Sequence, residues 1–241
     1  YMRRRALVRA SGMRYDGIHM ANIVVTGTGR GIGKALARKF AAEGHSVTGT
    51  YLSGDAEKGA CEAVWRLDLS SQESIASCAE EIARSGRKID ILVNNAGILL
   101  DEDETAVDIP KLRRTMEVNV IGTADFTERM VPLMAEGGHI VNISSTAGSL
   151  ELVDDGKSHY PGRYPAYKIS KAALNMYTRT LAGRLMGHSA VSSVHPGWVR
   201  TDMGGPEADM SPEEAAEGIY ALAVARPETG QFWFKGEKIP W

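Results

Sequence analysis

Short apolar runs alternate with helix-period segments along the chain, and this alternation narrows the possible folds more than any other feature. Residues 22–26, 46–50, 63–67, 90–94, 139–144 and 190–195 read as strands, and 231–234 as a seventh. Between them, 34–43 places Leu36 and Phe40 one turn apart with Gly44 as a stop, and 70–84 opens on a capping-box pattern from Ser70 to Glu73. Residues 108–135 read as a long helix bent at Pro132, and 167–186 as another. Ser211-Pro212-Glu213-Glu214 supplies an N-cap serine, a first-turn proline and a glutamate three positions on, so a further helix starts there. The strands are apolar throughout rather than alternating, as strands covered by helices on both faces must be. The expectation is one doubly wound α/β domain.

Composition supports a single core. The 241 residues are 43% hydrophobic and 24% charged, enough for one compact domain. With 28 basic and 30 acidic residues the net charge is −2, which offers no general cationic surface to nucleic acid or anionic lipid. Cys61 and Cys78 cannot build a disulfide framework and lack CxxC spacing, which fits a reducing, cytoplasmic setting. The six histidines are scattered without ligand spacing, so no metal is expected. No apolar run reaches the roughly 20 residues that a membrane-spanning helix needs. Residues 1–19 carry Arg3, Arg4, Arg5, Arg9 and Arg14 without sustained periodicity, and their apolar stretch is too short for a signal-peptide core. They read as an extension or expression remnant ahead of Met20, expected to be mobile, with the domain itself spanning 20–241.

Two constellations carry chemistry. After the first strand, Thr26-Gly27-Thr28-Gly29-Arg30-Gly31-Ile32-Gly33 leads into a helix. A glycine turn in that place lets the backbone approach a pyrophosphate, which the helix N-terminus then stabilises. The second is Tyr167 and Lys171, four residues apart on one helical face. An ammonium beside a phenol favours the phenolate and lowers its pKa, as a general acid/base near neutrality requires. Ser144 and Ser145 end the fifth strand, and carboxyl ends of strands border the ligand crevice of a doubly wound sheet. A hydroxyl there can orient a carbonyl oxygen beside Tyr167.

These segments occur in a recognisable order with Asp68-Leu69, Asn94-Asn95-Ala96-Gly97, Asn119 within Glu117-Val118-Asn119-Val120, and the run from His195 to Asp202. In that order, and over essentially all of 21–241, the chain resembles the short-chain dehydrogenases/reductases. The resemblance implies a Rossmann-type, mostly parallel seven-stranded sheet and hydride transfer between a nicotinamide and a carbonyl/alcohol pair. It makes Tyr167 the proton donor in reduction, with Lys171 lowering its pKa and binding the nicotinamide ribose. Ser145, rather than Ser144, would hold the carbonyl oxygen, and Asn119 would anchor a water that relays protons to Lys171. Thr26, Gly27, Gly29, Arg30, Gly31, Ile32 and Gly33 would cradle the dinucleotide. Asp68 and Leu69 would meet the adenine, Asn95, Ala96 and Gly97 the cofactor floor, and Pro196, Gly197, Val199 and Thr201 the nicotinamide.

Cofactor choice turns on charge at the adenosine ribose, where an acid binds a free 2′-hydroxyl and repels a 2′-phosphate. The family spacing puts that position at Tyr51, flanked by Thr50, Leu52 and Ser53, while Arg30 matches a basic position of NADP-preferring relatives. NADP(H) is favoured over NAD(H), with Asp55 the dissenting residue nearby. The stretch between Ser145 and Tyr167 is longer than the family commonly has and carries Asp154, Asp155, His159, Tyr160 and Tyr164. Only nine residues separate Thr201 from Ser211, so the usual substrate lid is short and the cleft is expected to be open, rimmed by Leu99, Leu150, Trp198 and Met203. The 101–104 run reads as a solvated loop. A small-molecule carbonyl or alcohol is the implied substrate, with neither nucleic acid nor membrane as partner and monomer or homo-oligomer left open. The rival readings are an NAD-linked polyol dehydrogenase and a non-catalytic NADP-binding regulator; the latter predicts loss of Tyr167 or Lys171, and both are present.

Overall fold

The apolar runs become strands because each residue in them has a helix layer to face. In β1 (Asn22–Val25), Ile23 and Val25 point to one side of the sheet and Val24 to the other. The same alternation holds in β4 (Ile89–Asn94), where Ile91 and Val93 oppose Leu92. One layer consists of α1 (Gly31–Ala42) and α6 (Pro212–Ala225), with Leu36, Phe40 and Ile219 fully buried. The other contains α2 (Gln72–Arg84), α4 (Thr123–Met130) and α5 (Pro165–Arg184), which bring Ile75, Phe126 and Leu181 onto the opposite face.

The computed structural model describes residues 20–53, 59–153 and 162–241. The expectations for residues 1–19, Asp55, Asp154, Asp155, His159 and Tyr160 lie outside the described residues. With β2 (Ser46–Tyr51), β3 (Ala63–Arg66), β5 (Met134–Ile143), β6 (Ser189–Val194), β7 (Gln231–Phe234) and β8 (Glu237–Ile239), the sheet runs β3-β2-β1-β4-β5-β6-β7-β8. Every pairing is parallel except β7 with β8. Chain order reverses between β1 and β4, the switch point beside which a doubly wound sheet takes its ligand at the carboxyl ends of the strands.

Four local expectations need correction. The sheet has eight strands rather than seven, because the tight turn at Lys235-Gly236 folds three further residues back on β7. The long helix expected over 108–135 is α3 (Ile109–Met116), a π-helical turn (Glu117–Gly122) and α4; it stops at Pro132, which cannot supply the next helical N–H. Ser71, not Ser70, caps α2 by accepting from Ser74 N at 3.2 Å. Asp101 is not solvated: it is 1% exposed.

A buried polar network pins the middle of the sheet. Asn94 Nδ2 donates to Thr127 Oγ1 and to Asn142 Oδ1, both at 2.8 Å, and Asn142 Nδ2 donates to Thr178 Oγ1 at 2.9 Å. Ser193 Oγ donates to the same threonine at 2.9 Å. Three adjacent strands are thereby tied to α4 and α5, with the donors that burial makes costly all supplied.

Candidate active site

The glycine turn is built by close approach. Gly27 and Gly31 have φ of 75° and 52°, the left-handed region that glycine enters without a Cβ clash. A Cβ on Gly33 would stand 2.1 Å from the Gly27 carbonyl oxygen and 2.5 Å from Asn95 Nδ2, so α1 starts in contact with the turn before it. Thr26 and Asn95 lock that turn to β4: Thr26 Oγ1 accepts from Asn95 N at 2.9 Å and Ala96 N at 3.0 Å, while Asn95 Nδ2 donates to Thr26 O at 2.8 Å. Thr50, which the sequence did not single out, accepts from Gly27 N through its Oγ1 at 3.1 Å. Arg30 occupies the N-cap of α1 without a capping side-chain bond, and the first turn carries no acid. The leading N–H groups of α1 are therefore uncapped by side chains, as an anion-binding helix end requires.

At the adenosine end, Tyr51 closes β2 with Leu52 exposed beyond it. Arg30 forms an ion pair with Asp202, Nη1 to Oδ2 at 2.6 Å, with both side chains largely exposed. Asp68 Oδ1 accepts from Ser70 N at 2.9 Å and Ser70 Oγ at 2.6 Å, and these bonds hold its carboxyl below the usual range. Leu69 is buried in the core, and the end of the π-helical turn packs so closely there that a Cβ on Gly122 would overlap the Leu69 carbonyl.

Four further residues converge from three places in the chain: the π-helical turn, the end of β5 and the first turns of α5. The π-helical turn turns Asn119 inward, where it is 1% exposed. Its Oδ1 accepts from Ile98 N, and its Nδ2 donates to Ile98 O, each at 2.8 Å; Nδ2 also reaches Ser170 Oγ at 3.1 Å. Lys171, 6% exposed, donates from Nζ to the Ile143 carbonyl at 2.8 Å, and its Nζ lies 5.4 Å from the Tyr167 ring centroid. Burial brings the lysine down to about 8. Tyr167 is pushed up to about 12 by desolvation, only partly offset by its hydrogen bond with Ser145. In place of the lowered pKa that the sequence predicts for the phenol, its desolvation prevails and raises it. Ser145 begins a short 3₁₀ turn (Thr146–Gly148), accepting from Ala147 N at 3.1 Å. Ser144 points away, its Oγ donating to Asn175 Oδ1 at 2.6 Å in the core.

Ser145 and Tyr167 line a cavity of about 410 Å³ together with Ile32, Pro196, Gly197, Val199 and Thr201. Leu99, Trp198 and Met203 are on its wall as expected, but Leu150 is not; it is 78% exposed. The short lid folds back on the chain before it, with Met210 N donating to Trp198 O at 3.0 Å and Arg200 N to Met210 O at 2.8 Å. Among the described residues no group of three or more His, Cys, Asp or Glu could hold a metal ion, and no helix is long and apolar enough to cross a membrane.

The chain is similar to known proteins over most of its length. A family model described as "Enoyl-(Acyl carrier protein) reductase" matches residues 27–228. "Carbonyl reductase [NADPH] 1" of Oryctolagus cuniculus is 30% identical over 269 aligned residues, covering 90% of this chain and 97% of that one. A Burkholderia multivorans short-chain dehydrogenase/reductase solved with bound NADP is 29% identical, covers 92% of this chain and 100% of that one, and superposes with a TM-score of 0.79. The NADPH-bound carbonyl reductase from chicken fatty liver shares the fold at a TM-score of 0.84, with 24% identity over 96% of this chain and 100% of that one. A chain with this sheet order, glycine turn and serine–tyrosine–lysine cluster belongs to the short-chain dehydrogenase/reductase family of oxidoreductases.

Proposed function

We propose that this protein is an NADP(H)-dependent carbonyl reductase that reduces a ketone, aldehyde or quinone. The observation that carries the reading is the placement of Ser145 and Tyr167 on one cavity wall with the Lys171 ammonium buried behind the phenol. The glycine turn fits a dinucleotide, since the first turn of α1 has no side-chain cap and the backbone is packed too closely for a Cβ at Gly33. Gly27, Gly29, Gly31, Ile32 and Thr26 would hold the pyrophosphate side, and Asn95, Ala96, Gly97, Pro196, Gly197, Val199 and Thr201 the nicotinamide side. When bound, the nicotinamide supplies the hydride.

The protein's own part is the proton. A phenol pushed up to about 12 is protonated at neutral pH, so Tyr167 holds the proton that a carbonyl oxygen needs as it becomes an alcohol. Ser145 orients that oxygen, and the Lys171 cation favours the phenolate left behind. The non-acidic end of β2 and the cationic Arg30 support the 2′-phosphate and hence NADP(H); the NADPH named for the rabbit relative and the NADP bound to the Burkholderia protein point the same way. Asp68 and Leu69 fit the adenine edge, and Asn119 the proton route behind Lys171. Cys61 and Cys78 are buried and not joined in a disulfide, which supports a cytoplasmic setting.

The test is a spectrophotometric screen of NADPH oxidation against quinones, aromatic ketones, aliphatic aldehydes and sugars, with Tyr167→Phe beside the wild type. Tyr167→Phe should lose about 100-fold or more in kcat while binding NADPH normally. A variant that keeps a tenth of wild-type turnover, by that same yardstick, would show the acid to be another group.

A further inference from the structure

Helix α5 delivers both Tyr167 and Lys171, yet its own sequence does not say where it starts. Its N-cap, Tyr164, is left-handed (φ 42°, ψ 60°) and makes no capping side-chain bond, and Pro165 at the first position has no N–H to give. The first N–H in need of an acceptor is that of Ala166, one residue before the phenol. It donates to Asp101 Oδ2 at 2.6 Å, across 65 residues of chain and fully buried. The same short loop holds the preceding residues too: Tyr164 N donates to Glu104 O at 2.9 Å, and Arg163 stands 3.6 Å from Asp103. Leu99, Glu102, Arg163 and Tyr164 all line the cavity, so the clamp is also part of the substrate wall.

We propose that Asp101 is the positioning residue for Tyr167: its carboxylate fixes the first turn of α5 and so sets where the phenol sits against Ser145 in the cavity wall. The proposal rests on Tyr167 being the proton donor. The loop is itself anchored at its root, where Asn119 grips both backbone groups of Ile98 and reaches Ser170 on α5. Two side chains thus tie the 98–101 segment to the helix that bears the phenol, one at its start and one a turn later. Asp101 accepts the Ala166 hydrogen bond in the interior. Asp101 is 1% exposed and its Oδ1 has no hydrogen-bond partner among the described residues.

Three variants test this: Asp101→Ala removes the acceptor, Asp101→Asn keeps an oxygen for Ala166, and Asp101→Glu keeps the charge but lengthens the arm. Each is assayed, beside wild type and Tyr167→Phe, for NADPH oxidation with the best-reduced member of a panel of quinones, aromatic ketones and aldehydes. NADPH affinity is read by fluorescence titration and melting temperature by circular dichroism. Asp101→Ala should lose about 10- to 100-fold in kcat at a temperature where it is fully folded, with NADPH affinity unchanged, and Asp101→Asn should restore most of the loss. Should Asp101→Ala not fold, Asp101→Glu must show the same fall in kcat with NADPH affinity kept. Full kcat in Asp101→Ala or, in its place, in Asp101→Glu, an equal loss in Asp101→Asn, or a parallel fall in NADPH affinity overturns the proposal. A dead Tyr167→Phe beside a fully active Asp101→Ala refutes Asp101 alone. An active Tyr167→Phe, or a wild type that reduces none of the panel, refutes the proton-donor assignment and this inference together.

Discussion

Helices α6 and α2 are capped by serines of their own sequences, whereas α1 and α5 are not, and the second pair are the two that border the cleft. Ser211 and Glu214 close the end of α6 with a reciprocal capping box, and Ser71 caps α2. Neither helix faces the cavity with its first turn. Helix α1 opens on glycines with no side-chain cap, and α5 takes its acceptor from a loop 65 residues away. A helix end completed by its own side chains is finished as structure. One left open, or completed from elsewhere, can be given to a ligand or aimed by a distant element.

Substitutions at these ends can break or sharpen the contrast. The deepest effect belongs to α5, where Lys171→Met should lower kcat by about 100-fold and also weaken NADPH binding, if the buried ammonium serves both proton and ribose as proposed. Unchanged NADPH affinity, measured by titration, would remove the ribose role. At α1, Gly33→Ala pushes a methyl into the Gly27 carbonyl and should cost about 1–3 kcal/mol in denaturant unfolding, with NADPH binding impaired beyond that loss. A variant that unfolds and binds like wild type would show that the close approach is not needed. Arg30→Ala at the same end should weaken NADPH by about tenfold and leave NADH nearly untouched. Asp202→Asn, which frees Arg30 from its ion pair, should tighten NADPH instead; equal losses for both cofactors in Arg30→Ala would reduce the arginine to surface charge. The smallest effect is at the locally capped end: Ser211→Ala should cost about 1 kcal/mol of stability and leave kcat alone. A change in kcat there would mean that α6 is coupled to the site after all.

Much of this was legible beforehand because it is written at short range. The apolar strands, the four-residue spacing of Tyr167 and Lys171, the glycine turn and the Ser211 cap are all patterns within one or two turns of chain. The order of the motifs pointed to the family, and the sheet brought their residues to one end. What escaped was read wrongly for local reasons. Asp101 looked like part of an acidic surface run, and the helix over 108–135 looked continuous because neither a π-helical turn nor a strand beginning at Met134 changes the apolar spacing much.

The sequence by itself determined the strand–helix alternation, the doubly wound class, the glycine turn and the four-residue spacing of Tyr167 and Lys171, because periodicity and spacing are local properties of the chain. Tertiary structure alone decided how those groups behave. Asn94 meets Asn142 across 48 residues, Asp101 meets Ala166 across 65, and Arg30 meets Asp202 across 172. Such pairs are set by strand order, which places β1 beside β4 and β4 beside β5, and nothing in the spacing of either partner announces the other. The pKa of Tyr167 belongs to the same class. Lysine at four residues predicts a lowered value, but desolvation of the phenol is a product of packing, and it sets the value high.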